Sequence, residues 1–191
     1  MPRILAFAGS TRKDSFNGKL VRIAANAARN AGGEVTLVDL AEYDMPLFNQ
    51  DLEAEHGLPE NARKLKKLFL EHDGLLIAAP EYNSSITPLM KNTLDWVSRK
   101  ESGGEAPGAA YKDKVAALLS ASPGALGGLR GLVVMRMLLT TLGVHILPDQ
   151  QAVGGAATAF TADGALADPA MQANVERIAA KLVTTTAKLK P

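Results

Sequence analysis

The sequence predicts an α/β doubly wound fold, a three-layer sandwich with helices on both faces of a five-stranded parallel sheet, in a single domain over residues 1–191. Three observations predict it. Short apolar runs bounded by Gly, Pro or Asp alternate with longer segments of helical period, the pattern of strand–helix–strand units. Most of the short runs are apolar throughout, as strands covered on both faces must be. Finally, 191 residues of which 47% are hydrophobic and 21% charged can bury one core, which excludes a disordered chain.

The elements follow in order. Ile4 to Ala8 is read as a buried strand, since the apolar stretch there is about six residues, below the roughly 7–15 of a signal-peptide core, and no cleavage pattern follows. Phe16 to Asn30 is helical: Leu20, Ile23, Ala24 and Ala27 make an i, i+3, i+4, i+7 stripe, and Gly32-Gly33 stops it. Val35 to Val38 is the second strand and Ala41 to Leu58 a long loop. Pro59 to His72, Pro88 to Arg99 and Pro169 to Lys188 each open with a proline suited to a first helical turn. Gly74 to Ala79 and Lys114 to Leu119 are further strands, with a second long loop at Glu101 to Ala110. Gly128 to Leu142 is a helix apolar on nearly all sides, so one side covers the sheet and the other needs a partner, which predicts a homo-oligomer. Val144 to Leu147 and Ala152-Val153 form a weaker fifth strand at an edge. Right-handed crossovers then favour the flavodoxin-like strand order 2-1-3-4-5.

Composition narrows the chemistry. With no cysteine there is no disulfide scaffold, thiol nucleophile, Cys-ligated metal or thiol redox cycle, so redox work needs a cofactor. Against 21 Lys and Arg stand 20 Asp and Glu, and a net charge of +1 has no sequence-wide footprint for nucleic acid. No apolar window reaches the roughly 18 residues of a membrane span, so a soluble, cytoplasmic protein without membrane or nucleic-acid partners is expected. His56, His72 and His145 lack metal-ligand spacing and read as structural or surface residues, with no metal site expected. No G-x-S-x-G elbow accompanies Ser84-Ser85 or Ser120-Ala121-Ser122, which disfavours a serine hydrolase. Asp39 reads as a loop cap rather than a ribose-binding acid, because the dinucleotide glycines are missing.

In a doubly wound sheet ligands bind beyond the carboxyl ends of the strands, so the loops after strands one, three and four matter most. The first, Gly9-Ser10-Thr11-Arg12-Lys13-Asp14-Ser15-Phe16-Asn17-Gly18, sets hydroxyls, an amide and a guanidinium before a helix start and reads as a phosphate cradle. Its spacing matches neither a Walker loop nor G-x-G-x-x-G. The second, Pro80-Glu81-Tyr82-Asn83-Ser84-Ser85, offers backbone groups and a flat aromatic that suit the edge of a planar heterocycle, though these residues also make ordinary turns. Trp96, at helical spacing in the helix that follows, reads as core. The third, Ser120-Ala121-Ser122-Pro123-Gly124-Ala125-Leu126-Gly127-Gly128, is nearly free of bulk, for close backbone approach or simply a tight turn.

Together, G-S-T-R-x-x-S-x-N, P-E-Y-N-x-x-x-x-x-x-K-N-x-L-D-W and S-A-S-x-G-x-x-G-G, in this order over essentially the whole chain, resemble the NAD(P)H-dependent FMN reductase family, which includes quinone, chromate and azo-dye reductases. The resemblance implies a flavodoxin-like fold with non-covalent FMN, and assembly as a homodimer or homotetramer. By matched position it implies that Ser10, Arg12, Ser15, Phe16 and Asn17 hold the FMN phosphate. Pro80, Glu81, Tyr82 and Asn83 would flank the isoalloxazine ring, and Ser120, Ser122 and Gly124 would close its other side. The implied reaction is ping-pong: NAD(P)H reduces the flavin and leaves before a small acceptor such as a quinone enters, with no side chain acting as catalytic acid or base. The alternatives are a flavodoxin-type electron carrier, disfavoured by the balanced charge, pI near 8.0 and Arg12, and a flavin-free regulatory domain, disfavoured by the lack of an acidic cluster.

Overall fold

A computed structural model describes residues 1–101 and 103–190; Ser102, inside the loop expected at Glu101 to Ala110, and Pro191, the last residue of the expected domain, lie outside the described residues. Strand β1 (Arg3–Ala8) alternates its side chains between two cores. Ile4, Ala6 and Ala8 point to one, while Leu5 and Phe7 point to the other. That two-sided burial is why the run is apolar without interruption. Helix α1 (Phe16–Asn30) has the bounds its stripe predicted, and strand β2 (Glu34–Val38) follows. The Ala41 to Leu58 segment is not all loop. A short 3-10 turn at Leu40–Glu42 is capped by Asp39, whose carboxylate accepts from the Ala41 amide at 2.9 Å, the role its position suggested. Helix α2 (Gln50–His56) is capped by Asn49; it was missed because none of its seven residues is fully buried, so no apolar period marks it.

Helix α3 (Glu60–Glu71) and strand β3 (Gly74–Ala78) match expectation to within a residue. The polar loop after β3 is an unpredicted hairpin, β4 (Glu81–Tyr82) and β5 (Ser85–Ile86), followed by α4 (Pro88–Ser98). Strand β6 (Val115–Ala121) is buried along its whole length and precedes α5 (Leu129–Thr141). The two weak runs near the end form one strand, β7 (His145–Val153). They look separate because the ladder slips: Ala116 faces Ile146 and Leu118 faces Gln150, with Pro148 in the irregular stretch and unable to donate. Arg136 on α5 reaches the carbonyls freed there, donating to Leu147 at 2.9 Å and Pro148 at 3.1 Å. Helix α6 (Pro169–Leu189) ends the fold.

The parallel sheet runs β2-β1-β3-β6-β7, which is the predicted 2-1-3-4-5 once the hairpin strands are set aside. α1 and α6 cover one face through Leu20, Ala24, Ile178 and Leu182. On the other face α3, α4 and α5 contribute Leu65, Phe69, Met90, Leu94, Leu132 and Met135. α5 is apolar on both sides, as expected: Leu132, Met135 and Leu139 are buried, while Leu129, Val133 and Met137 lie exposed in a stripe. Trp96 is buried and donates from Nε1 to the Pro46 carbonyl at 2.7 Å, a structural role as predicted. His72 also is structural, bridging the Leu68 carbonyl and the Thr36 hydroxyl, whereas His56 and His145 are exposed.

Tyr111 is fully buried and donates to the Leu94 carbonyl at 2.9 Å. Burial raises its phenol well above the ordinary value, with the nearby Asp95 charge adding to the shift. The neutral phenol is therefore favoured in the folded state. Its stabilising share is complete below the unfolded value of about 10 and is lost as pH rises beyond it. Tyr111→Phe should cost about 0.5–1.5 kcal/mol at pH 7 in urea unfolding, and its stability should fall less steeply above about pH 10.

Candidate active site

Parallel register places the carboxyl ends of three strands together: Ala8 pairs with Ala78, and Ala78 with Leu119. The loops after β1, β3 and β6 therefore leave the sheet at one edge. Gly9 is held at both ends, its amide donating to the Ala78 carbonyl at 3.0 Å and its carbonyl accepting from the Thr87 hydroxyl at 2.8 Å. Thr87 also caps α4, so one side chain joins the second loop to the first.

Beyond Gly9 the chain leaves donors free. The Ser15 hydroxyl oxygen caps α1 by accepting from the Gly18 amide at 3.2 Å, and the Ser10 oxygen accepts from the Arg12 amide at 3.3 Å. Each hydroxyl keeps its own proton for a ligand. Among the described residues the amides of Phe16 and Asn17, the first two of the helix, have no acceptor within the chain, as is usual where a helix begins. Arg12, Lys13, Lys19 and Arg22 have no carboxylate in ion-pair reach among the described residues. The Arg12 guanidinium lies 5.0 Å from the centre of the Phe16 ring, which stacks on Phe160 at 6.2 Å with the planes 3° apart. Free donors, a positive helix end and unpaired cations suit a dianionic phosphate.

Asn17 does something different. Its side-chain amide donates to the Ala121 carbonyl at 2.8 Å and its oxygen accepts from the Ala121 amide at 2.9 Å, both bonds buried. Its side-chain hydrogen bonds thus strap the first loop to the end of β6, while its backbone amide remains free.

The hairpin turns at Asn83 and Ser84, with φ of 50° and 65°, the left-handed pair that a two-residue turn demands. Asparagine tolerates this conformation; serine adopts it less readily. The turn leaves Tyr82 58% exposed at the site. In the third loop the glycines serve the chain's own packing. Gly128 has φ of 91°, and a Cβ there would meet the Ser120 Oγ at 1.9 Å; one on Gly127 would meet the Val153–Gly154 backbone at 2.6 Å. The Ser120 hydroxyl is buried under Gly128 and has no hydrogen-bond partner among the described residues.

The three loops enclose a cavity of about 270 Å³ lined by Ser10, Arg12, Ser15, Phe16 and Asn17, by Pro80, Glu81 and Tyr82, and by Ala121, Ser122 and Pro123. Nine of the twelve residues singled out from the sequence stand in this lining, while Asn83, Ser120 and Gly124 do not. Ala121, Pro123 and the cross-linking Thr87 were not singled out. Thr87-Pro88 is readable as a helix start, but its bond to Gly9 spans 78 residues and has no local signal.

Fold and site together define a doubly wound protein with a phosphate cradle beside a slot of small and flat residues, the plan of a mononucleotide-binding protein. Residues 2–159 match the family described as NADPH-dependent FMN reductase, and the chain belongs to that family. It is similar to an NADPH:quinone oxidoreductase of Arabidopsis thaliana, 31% identical, with 98% of this chain and 93% of the relative covered. A quinone reductase of Pseudomonas putida strain KT2440 is 35% identical, with 90% and 89% covered. Among solved structures, the flavoenzyme NAD(P)H:(acceptor) oxidoreductase FerB of Paracoccus denitrificans superimposes with a TM-score of 0.82 at 28% identity, covering 98% of each chain.

Asn17→Ala should leave the Ala121 amide and carbonyl unpaired and cost about 2–4 kcal/mol. Denaturant unfolding of the flavin-free protein checks this, and flavin retention should fall in parallel.

Proposed function

We propose that this chain is an NAD(P)H-dependent oxidoreductase, a single FMN-binding domain over residues 1–191 that reduces small acceptors such as quinones. The observation that carries the reading is the joining, in one cavity, of a cradle of unused donors with a hairpin bearing an exposed tyrosine and a loop of small residues. The residues fit the cofactor. Ser10, Ser15, Arg12 and the amides of Phe16 and Asn17 would hold the phosphate; Pro80, Glu81 and Tyr82 would bound one side of the ring, and Ala121, Ser122 and Pro123 another. When bound, FMN supplies the hydride-accepting and electron-donating chemistry.

The chain's own part is to hold, orient and expose. Arg12 neutralises phosphate charge with a planar fork, a stronger anchor than hydroxyls alone. Of the three ionisable lining residues, Arg12 serves the anion, the Glu81 carboxylate is engaged by Arg130 and Tyr82 is exposed. The exposed Tyr82 leaves the site open to flat molecules, and NAD(P)H and acceptor would use it in turn, in a ping-pong order. The balanced charge and pI near 8.0 disfavour an acidic electron carrier, and the relatives described above are a quinone oxidoreductase and a quinone reductase.

We also propose a homo-oligomer joined through α5, whose exposed Leu129, Val133 and Met137 form one apolar stripe. A cytoplasmic location agrees with the intracellular supply of NAD(P)H.

Protein reconstituted with FMN should be yellow and oxidise NAD(P)H in the presence of a quinone; absence of both would overturn the reading. Arg12→Ala should weaken FMN binding by about 10- to 100-fold by fluorescence titration, with partial recovery in Arg12→Lys. Val133→Asp should shift the assembly to monomers in light scattering.

A further inference from the structure

Helix α5 starts without a cap of its own. Its first-turn neighbour Gly128 carries no side chain, and the first turn holds no acidic residue. The acceptor comes from another element. Glu81, the first residue of β4, accepts from the Gly131 amide at 2.9 Å through one carboxylate oxygen and from Arg130 Nε at 3.1 Å through the other. The carboxylate is nearly buried, its side chain 10% exposed, while Arg130 is 60% exposed. Gly131 permits the approach, since a Cβ there would lie 3.2 Å from the Glu81 Cβ. Negative charge at a helix N-terminus is favourable, so the carboxylate caps α5 from a distance of 50 residues along the chain.

The two elements joined in this way belong to two different parts of the cavity lining. Pro80, Glu81 and Tyr82 lead into or form the hairpin, while Ser122 and Pro123 begin the loop that runs directly into α5. We infer that Glu81 is a positioning residue: its trans-cap on α5 sets the spacing between the hairpin and the Ser122–Gly128 loop, and so the fit of the slot to a planar ring. This rests on the reading that the slot takes the flavin ring. The cradle for the phosphate hangs on other bonds, those of Gly9, Ser15 and Asn17. The two halves of the ligand should therefore respond to different substitutions.

The probes are FMN and riboflavin, which share the ring and differ in the phosphate, titrated by fluorescence into flavin-free protein. Glu81→Ala should weaken both by the same factor, about tenfold. Glu81→Gln keeps an acceptor for Gly131 but turns a donor toward Arg130, and should weaken both by about threefold. Arg130→Ala leaves the cap in place and should change either by less than about twofold. Arg12→Ala should weaken FMN alone. Unfolding of the flavin-free variants gives the second measurement. If Glu81→Ala and Glu81→Gln lower the unfolding midpoint yet leave both flavin affinities within about twofold of the parent, Glu81 is a helix cap and nothing more. A loss confined to FMN would overturn the inference as well, because it would place the defect in the phosphate cradle. Failure of the unsubstituted protein to bind either flavin would instead sink the flavin reading itself.

Discussion

The site depends on a pair of hydrogen bonds between residues 104 positions apart, the Asn17 amide and the backbone of Ala121. They are buried and use donor and acceptor of one side chain against the backbone donor and acceptor of one residue, which leaves little freedom in angle or distance. The first turn of α1 is thereby fixed against the end of β6. The Thr87 bond to Gly9 does the same for the loop after β3. Parallel register delivers three loops to one edge of the sheet, but these cross-links make them a single cavity.

The motifs that carry the family resemblance divide into groups that are spent on the protein and groups left over. In P-E-Y-N the glutamate binds α5 while the tyrosine is exposed. In K-N-x-L-D-W, Asn92 accepts from the Phe48 amide at 2.8 Å and donates to the Pro46 carbonyl at 3.0 Å, the carbonyl that Trp96 also holds. Arg99 completes this fastening by pairing with Glu53 and lying over Phe48. That second motif is scaffolding: it secures the long segment after β2 against α4. Free valence is concentrated in the first loop, where binding needs it.

Charge follows the same division. The net charge of +1 conceals a local imbalance. Several carboxylates elsewhere are matched: Asp149 is held down to about 2 by hydrogen bonds from Lys181 and Arg177, Asp73 meets Arg3 and Lys190, and Glu105 meets the buried Lys66. Around the start of α1, Arg12, Lys13, Lys19 and Arg22 have no such partners among the described residues. At the phosphate cradle the positive end of the α1 dipole and the Arg12 guanidinium act in the same sense.

Sequence alone determined the sheet order, the bounds of α1 and most of the site's lining, because apolar period, helix punctuation and the G-S-T-R loop are local signals written in adjacent residues. It missed α2, which buries no full residue, and the unity of β7, whose pairing slips at Pro148. It also could not assign work within the motifs. Tertiary structure decided that Asn17's side chain straps rather than reaches outward, that Glu81 caps a helix, and that Gly127 and Gly128 make room for the chain itself. All but the Gly128–Ser120 approach are contacts between segments tens of residues apart. A donor or a glycine looks the same in sequence whether its partner is a ligand or its own backbone, and only the folded chain brings the partner within bonding distance.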